Sequence, residues 1–255
     1  MPSMRFSILL HVGFLYFPLV GQGFIDIQIP SAEEETDYIW RTIIDIAFFE
    51  QHNYQLSLPK GPMIEELKVK SRAKQLTDED YERLKDFMLT RGYRKQDYLS
   101  GFKKIAAKEA LLNKMIRRLR RHKRDWSFKL YENYPVVLTL YGSGGSYDPD
   151  NGRIIVFTTP DGQFKTSDNA AHVVIHEVVH IGLEQSIIQD LKVPHTFKER
   201  IVDRFVLAYF RKWIPAYQVQ EMGENRIDPY LQRKKDAKTL KAQVQQILAK
   251  PPPTK

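Results

Sequence analysis

A chain of 255 residues with 42% hydrophobic side chains can bury one large core or two small ones, which excludes disorder as its default state. It has no cysteine, so disulfides, thiolate metal sites and a lipid-anchored cysteine are excluded, and any metal ion must be held by His, Asp or Glu. The formal net charge of +8 points toward anionic partners.

Arg5, the apolar run Phe6 to Val20 and then Gly21-Gln22-Gly23 have the order of a secretory signal peptide, assigned to residues 1–23. The body is therefore expected to be exported, either periplasmic or secreted. Counting on to Ile25 gives about 20 residues, the marginal length of an uncleaved membrane anchor. His11, Pro18 and the glycines weigh against that alternative.

Residues 24–98 read as a helical segment. Ser31 with Glu34 is a capping-box signal, and Ile39, Ile43, Ile44, Ile46 and Ala47 give a helical apolar face. Pro59, Gly61 and Pro62 break the pattern. A second helix is expected to start at Thr77, ahead of three carboxylates, and to end at Gly92. A long helix from about Gln96 to Arg124 follows, with an apolar stripe at Ile105, Leu112, Ile116 and Leu119. Its run Lys114 to Arg124 places seven cationic side chains in eleven residues. That run reads as a solvated face. Weak contact with an anionic envelope polymer or membrane surface is its functional alternative. Nucleic acid is not expected, since no aromatic residues are interleaved for base stacking.

Residues 99–222 form the expected core. Tyr134 to Tyr141 and Arg153 to Thr159 are rich in β-branched and aromatic residues and predict two strands, with a tight turn at Asn151-Gly152. The cluster Gly142-Ser-Gly-Gly145 lacks the ending of a phosphate-binding loop. A helix capped by Thr166, Ser167 or Asp168 is expected through Ala171 to about Gln189, and another from about Thr196 to Trp213. Residues 223–255 read as a polar helix from Ile227 and a frayed tail at Pro251-Pro-Pro253. Helices followed by a short run of strands and more helices give an α+β class.

The helix over 171–189 carries His176-Glu177-Val-Val-His180. Residues four apart share a helix face, so His176 and His180 can reach one zinc ion, and Glu177 stands beside it as the general base for a metal-bound water. A zinc hydrolase needs a third protein ligand. His172 and Glu184 each lie eight residues from the farther histidine, about 12 Å along the axis, and are poor choices. Glu199 is the better candidate, because eighteen residues separate it from His180 and allow a second helix to fold back. Asp203, one turn further, can accept a hydrogen bond from a ligand imidazole. The alternatives are a capping box between Glu199 and Thr196, and surface pairing of Asp203 with Arg200 or Arg204.

His-Glu-x-x-His, eighteen residues and Glu-x-x-x-Asp together resemble the gluzincin zinc metallopeptidases, the thermolysin-like class. The resemblance covers about residues 134 to 213. It implies a zincin-like fold, a small antiparallel or mixed sheet packed on an active-site helix, with Zn2+ as cofactor and a peptide or protein as substrate. It also implies zinc on His176, His180 and Glu199, Glu177 as the base and Asp203 behind His176. A downstream His or Tyr stabilises the transition state in that class, and His195, Tyr209 and Tyr217 are the local candidates. Asn usually precedes the ligand glutamate in the thermolysin group, whereas this chain has Lys198, the pattern of a distant relative. The metzincin pattern fails, since its glycine and histidine positions hold Leu183 and Ser186. The expected activity is peptide-bond hydrolysis, with strand 153–159 as the edge that pairs with an extended substrate. A catalytically silent zinc-containing binding or cell-envelope adaptor protein is the alternative.

Overall fold

The computed structural model describes residues 24–165, 167, 169–220 and 224–250. The export signal expected over 1–23, the caps Thr166 and Asp168, and the frayed Pro251 to Pro253 lie outside the described residues. Among the described residues no helix is long and apolar enough to cross a membrane.

The fold is α+β. A four-stranded mixed sheet has the order β1-β2-β4-β3, with β1 (Ile25–Gln28), β2 (Tyr134–Thr139), β3 (Gly145–Tyr147) and β4 (Ile154–Phe157). β1, β2 and β4 run parallel, and β3 turns back antiparallel to β4, pairing Gly145 with Val156 and Tyr147 with Ile154. The turn at Asn151-Gly152 forms as expected: Gly152 takes φ 78°, and Asp148 N–H donates to the Arg153 carbonyl at 2.8 Å. The two strands foreseen are β2 and β4. Strand 153–159 is not the edge that was expected: β4 lies inside the sheet, because the hairpin places Gly145–Tyr147 outside it as the edge strand.

The N-terminal helices are α1 (Ala32–Ile44), α2 (Ile46–Gln51), α3 (Pro62–Arg72) and α4 (Asp78–Phe87), the last running into a π-helical turn Met88–Gly92. The capping box expected at Ser31 with Glu34 is present, and the cap expected at Thr77 forms as a second box with Asp80. Ile39, Ile43 and Ile46 are buried, but Ile44 and Ala47 are exposed, because the chain bends at Asp45 and shifts the helical phase. These helices bury a small core of Ile39, Ile43, Ile64, Leu67, Leu84 and Met88. Glu35 joins it to the sheet: its Oε1 accepts from Tyr98 Oη at 2.8 Å, Thr139 Oγ1 at 3.1 Å and Leu140 N at 2.9 Å. Burial pushes the Glu35 carboxyl up to about 7 against these three donors.

The single helix expected over 96–124 is divided into a 3-10 turn Lys95–Tyr98, α5 (Leu99–Ala106), α6 (Glu109–Leu119), a 3-10 turn Arg120–His122 and α7 (Lys123–Trp126). The break at Ala107 and Lys108 lets α5 and α6 each lie against β1 and the helix Ala170–Leu183, labelled α8. The stripe Ile105, Leu112, Ile116 and Leu119 is buried as expected. After α8 come a π-helical turn Glu184–Gln189 and α9 (His195–Phe210). The tail is not one helix: 3-10 turns Asn225–Tyr230 and Lys234–Thr239 precede α10 (Leu240–Leu248). Pro229 lacks a donor, and Asp236 Oδ2 takes the N–H groups of Gln232 and Arg233, which holds the chain in turns.

All fourteen residues of α8 are buried, so it is a central helix covered on every side. Its cap is Asn169, whose side chain accepts from Ala171 N, while Ser167 bonds His172 instead. Gly182 permits the closest approach to α8: a Cβ there would lie 1.9 Å from Phe128 Cζ. Gly182→Ala is expected to destabilise the protein by about 1–3 kcal/mol through overpacking. A lower urea midpoint checks this, and an unchanged midpoint contradicts it.

Candidate metal centre

α8 runs beneath a cleft of about 1230 Å³, and α9 folds back against α8 after the turn at Val193-Pro194. α9 starts at His195 with Pro194 as its cap, so Thr196 lies within the first turn and does not cap it. Glu199 therefore makes no capping box, and its carboxylate points into the cleft floor. There His176 Nε2 lies 2.9 Å from His180 Nε2, Glu199 Oε2 lies 3.2 Å from His180 Nε2, and it lies 3.4 Å from His176 Nε2. A four-coordinate ion with bonds of about 2.0–2.1 Å separates its ligand atoms by about 3.3 Å. Three donor atoms from these side chains thus meet at metal-ligand spacing, and all three residues are buried. The set can hold a metal ion. Two imidazoles and one carboxylate thus supply three protein donors on the cleft floor.

The groups behind the ligands favour this use. Asp203 Oδ1 lies 3.3 Å from His176 Nδ1, and Tyr217 Oη sits 2.6 Å from both atoms. With the Tyr217 hydroxyl donating to Asp203, His176 Nδ1–H donates to Tyr217 Oη, and Nε2 is the nitrogen from which an ion would displace a proton. Asp203 Oδ2 also accepts from Gln220 N at 2.7 Å. Asp203 is no surface carboxylate, since it is fully buried and Arg200 pairs with Asp228 instead. His180 stacks on Tyr147 of β3, with centroids 4.8 Å apart and planes at 13°, and Tyr147 Oη donates to Glu184 Oε2 at 2.7 Å. His172 and Glu184 are thus occupied elsewhere.

Burial opposes a proton on His176, yet hydrogen bonds to Asp203 and Glu199 and the charges of Glu177 and Asp203 outweigh it and hold the imidazole up to about 10. Burial depresses His180 to about 4. Burial would raise Glu199, but the charge of His180 and hydrogen bonds from His176 and His180 hold its carboxyl well below the usual range. Glu177 is raised to about 7, first by burial. The cluster demands positive charge at its centre, supplied by a proton or by a cation.

Glu177 is not among the converging ligands. Its Oε1 lies against Gly145 of the edge strand, where a Cβ would sit 2.2 Å away. Gly145, expected only as part of a glycine cluster without a phosphate-binding ending, is thus a neighbour of Glu177. The signal was a glycine-rich stretch beside a strand, which marks close approach of backbone to another group. Tyr54 was also missed: it lines the cleft from the loop after α2, and its Oη lies 2.7 Å from His195 Nε2. Of the expected stabilisers, His195 lines the cleft with its Nδ1 3.9 Å from Glu199 Oε1. Tyr217 stands behind His176. Tyr209 is placed elsewhere, packed on His122 and Phe205 and bonded to the Arg118 carbonyl at 3.3 Å, because its side of α9 faces α6 and the turn Arg120–His122.

Tyr217→Phe leaves His176 with only the longer contact to Asp203, and zinc affinity is expected to fall at least 10-fold in a chelator competition. An unchanged affinity contradicts the network. Zinc affinity is also expected to rise with pH between 6 and 9, because an ion must displace the proton that the cluster holds up to about 10 on His176. Affinity independent of pH contradicts that assignment. No family model matches this chain, and neither the curated proteins nor the solved structures include a match to it.

Proposed function

We propose that this protein is a zinc-dependent metallopeptidase with a zincin-like core, acting outside the cytoplasm. One observation carries the reading: the donor atoms of His176, His180 and Glu199 converge within 3.4 Å on a cleft floor that also holds the Glu177 carboxylate. A structural ion needs no spare base beside it, whereas hydrolysis does.

Bound zinc would supply Lewis acidity, polarising the scissile carbonyl and acidifying a water. Glu177 takes the proton of the attacking water and returns it to the leaving amine. Burial raises this carboxyl to about 7, near the pH at which a group can both accept and return a proton. Gly145 lets β3 lie against the Glu177 carboxylate without a side chain between them. The outer side of β3 carries no strand among the described residues, and Gly144 to Tyr147 line the cleft, so an extended peptide can add to it. Opposite stand Tyr38 of α1, Phe48 of α2 and Tyr54 of the loop that follows. Tyr54 and His195, hydrogen-bonded to each other on the cleft wall, are the donors this reading assigns to the oxyanion of the tetrahedral intermediate.

Glu177→Gln is expected to retain zinc and abolish cleavage of a peptide library, while Glu199→Ala weakens zinc binding. Cleavage surviving in the first variant, or full zinc affinity in the second, sinks the assignment. Tyr54→Phe is expected to lower kcat by about 10²-fold with zinc content unchanged. An unaltered kcat removes Tyr54 from the chemistry.

A further inference from the structure

The cationic residues of α6 and α7 do not stand alone. Lys114 and Arg118 lie over the Trp213 ring, at 4.8 and 5.6 Å, so the end of α9 with Arg211 and Lys212 adjoins α6. Lys234 lies 5.2 Å over Tyr209, which itself bonds the Arg118 carbonyl, and Trp126 Nε1 donates to the Ala237 carbonyl at 2.9 Å. The turn Lys234–Thr239 is therefore fastened beside α6 and α7. The charges of Arg118, Arg121 and Lys238 help to depress Lys234, after burial, as neighbours of one sign must. Three segments distant in sequence thus build one basic face. Lys114, Arg117, Arg121, Lys123, Arg124 and Lys238 are exposed on it, and none has a carboxylate within salt-bridge distance among the described residues.

The first described residue packs at the edge of this face. Phe24, the first described residue after the run Phe6 to Val20, lies under the Arg120 guanidinium at 4.8 Å, and its N–H donates to Asn113 of α6 at 2.7 Å. Phe24 therefore sits at the edge of the basic patch. We infer that this face docks on an anionic lipid bilayer. Charge complementarity favours a bilayer. Nucleic acid is disfavoured because the one ring among these cations at the end of α9, Trp213, is covered by Lys114 and Arg118 and offers no free face for a base. Along α9 the face lies about 18 Å from Glu199, twelve residues away, so docking leaves the cleft clear of the surface. This inference is independent of the peptidase reading.

The absence of cysteine permits a single introduced thiol to report on the face in the full chain. A fluorophore is attached at Gln232→Cys, on the exposed residue before Arg233, and as a control at Glu82→Cys on α4. The probes are vesicles of phosphatidylcholine alone, vesicles with equal parts phosphatidylglycerol, and a single-stranded oligonucleotide. Protection of position 232 from a soluble quencher is expected only with the anionic vesicles, and is lost near 1 M salt, where the screening length is about 3 Å. Adding Arg121→Gln with Lys238→Gln is expected to weaken binding by roughly 5-fold per cation removed. Equal protection on neutral vesicles, no protection on either, protection at position 82 alone, or protection by the oligonucleotide alone overturns the proposal.

Discussion

Desolvation of the ionisable groups on α8 is the constraint that organises this protein. A helix covered on every side takes His176, Glu177 and His180 out of water together, and each unpaired charge in such a place costs several kcal/mol. The fold meets that cost by bringing Glu199 and Asp203 from α9 and Tyr217 from the following turn onto the same spot. Removing any one of these would strand the others, which is why α8 and α9 must pack in one register. The arrangement is complete only with a positive charge at its centre, and a metal ion satisfies it better than a shared proton, since it accepts all three donors at once.

The same constraint explains how the rest of the molecule is disposed. Phe128 against Gly182 holds the far end of α8, and the sheet covers one side while its edge strand β3 reaches the cleft. Tyr147 of β3 covers the His180 ring, so the strand that borders the cleft also holds a ligand in place. The N-terminal helices carry their own small core, yet Glu35 ties them to the end of β2 and they form the opposite wall. Tyr54, in the loop after α2, meets His195, so the cleft is completed by a segment outside residues 99–222.

Local features were legible in the sequence where a few neighbouring residues determine them. The capping box at Ser31, the cap at Thr77, the turn at Gly152, the strands β2 and β4 and the four-residue histidine spacing all depend on short-range geometry. Glu199 was reachable because loop length and helix pitch exclude its local rivals. β1 was not legible: Ile25–Gln28 is four residues long, and its partner β2 lies more than a hundred residues away. β3 carries Gly-Ser-Tyr, which has little strand preference and is ordered only by β4. The division of the 96–124 helix and the turns of the tail are tertiary decisions, made by what each piece packs against. Gly145 and Tyr54 entered the site through the same kind of long-range contact.

The central claim is that His176, His180 and Glu199 hold one zinc ion with a position open to the cleft. Zinc K-edge X-ray absorption on the purified protein tests it most directly. One ion per chain is expected, with two imidazoles and two oxygen ligands at about 2.0–2.1 Å, one of the oxygens exchangeable. No retained zinc, or a third imidazole contributed by His195, would contradict the account.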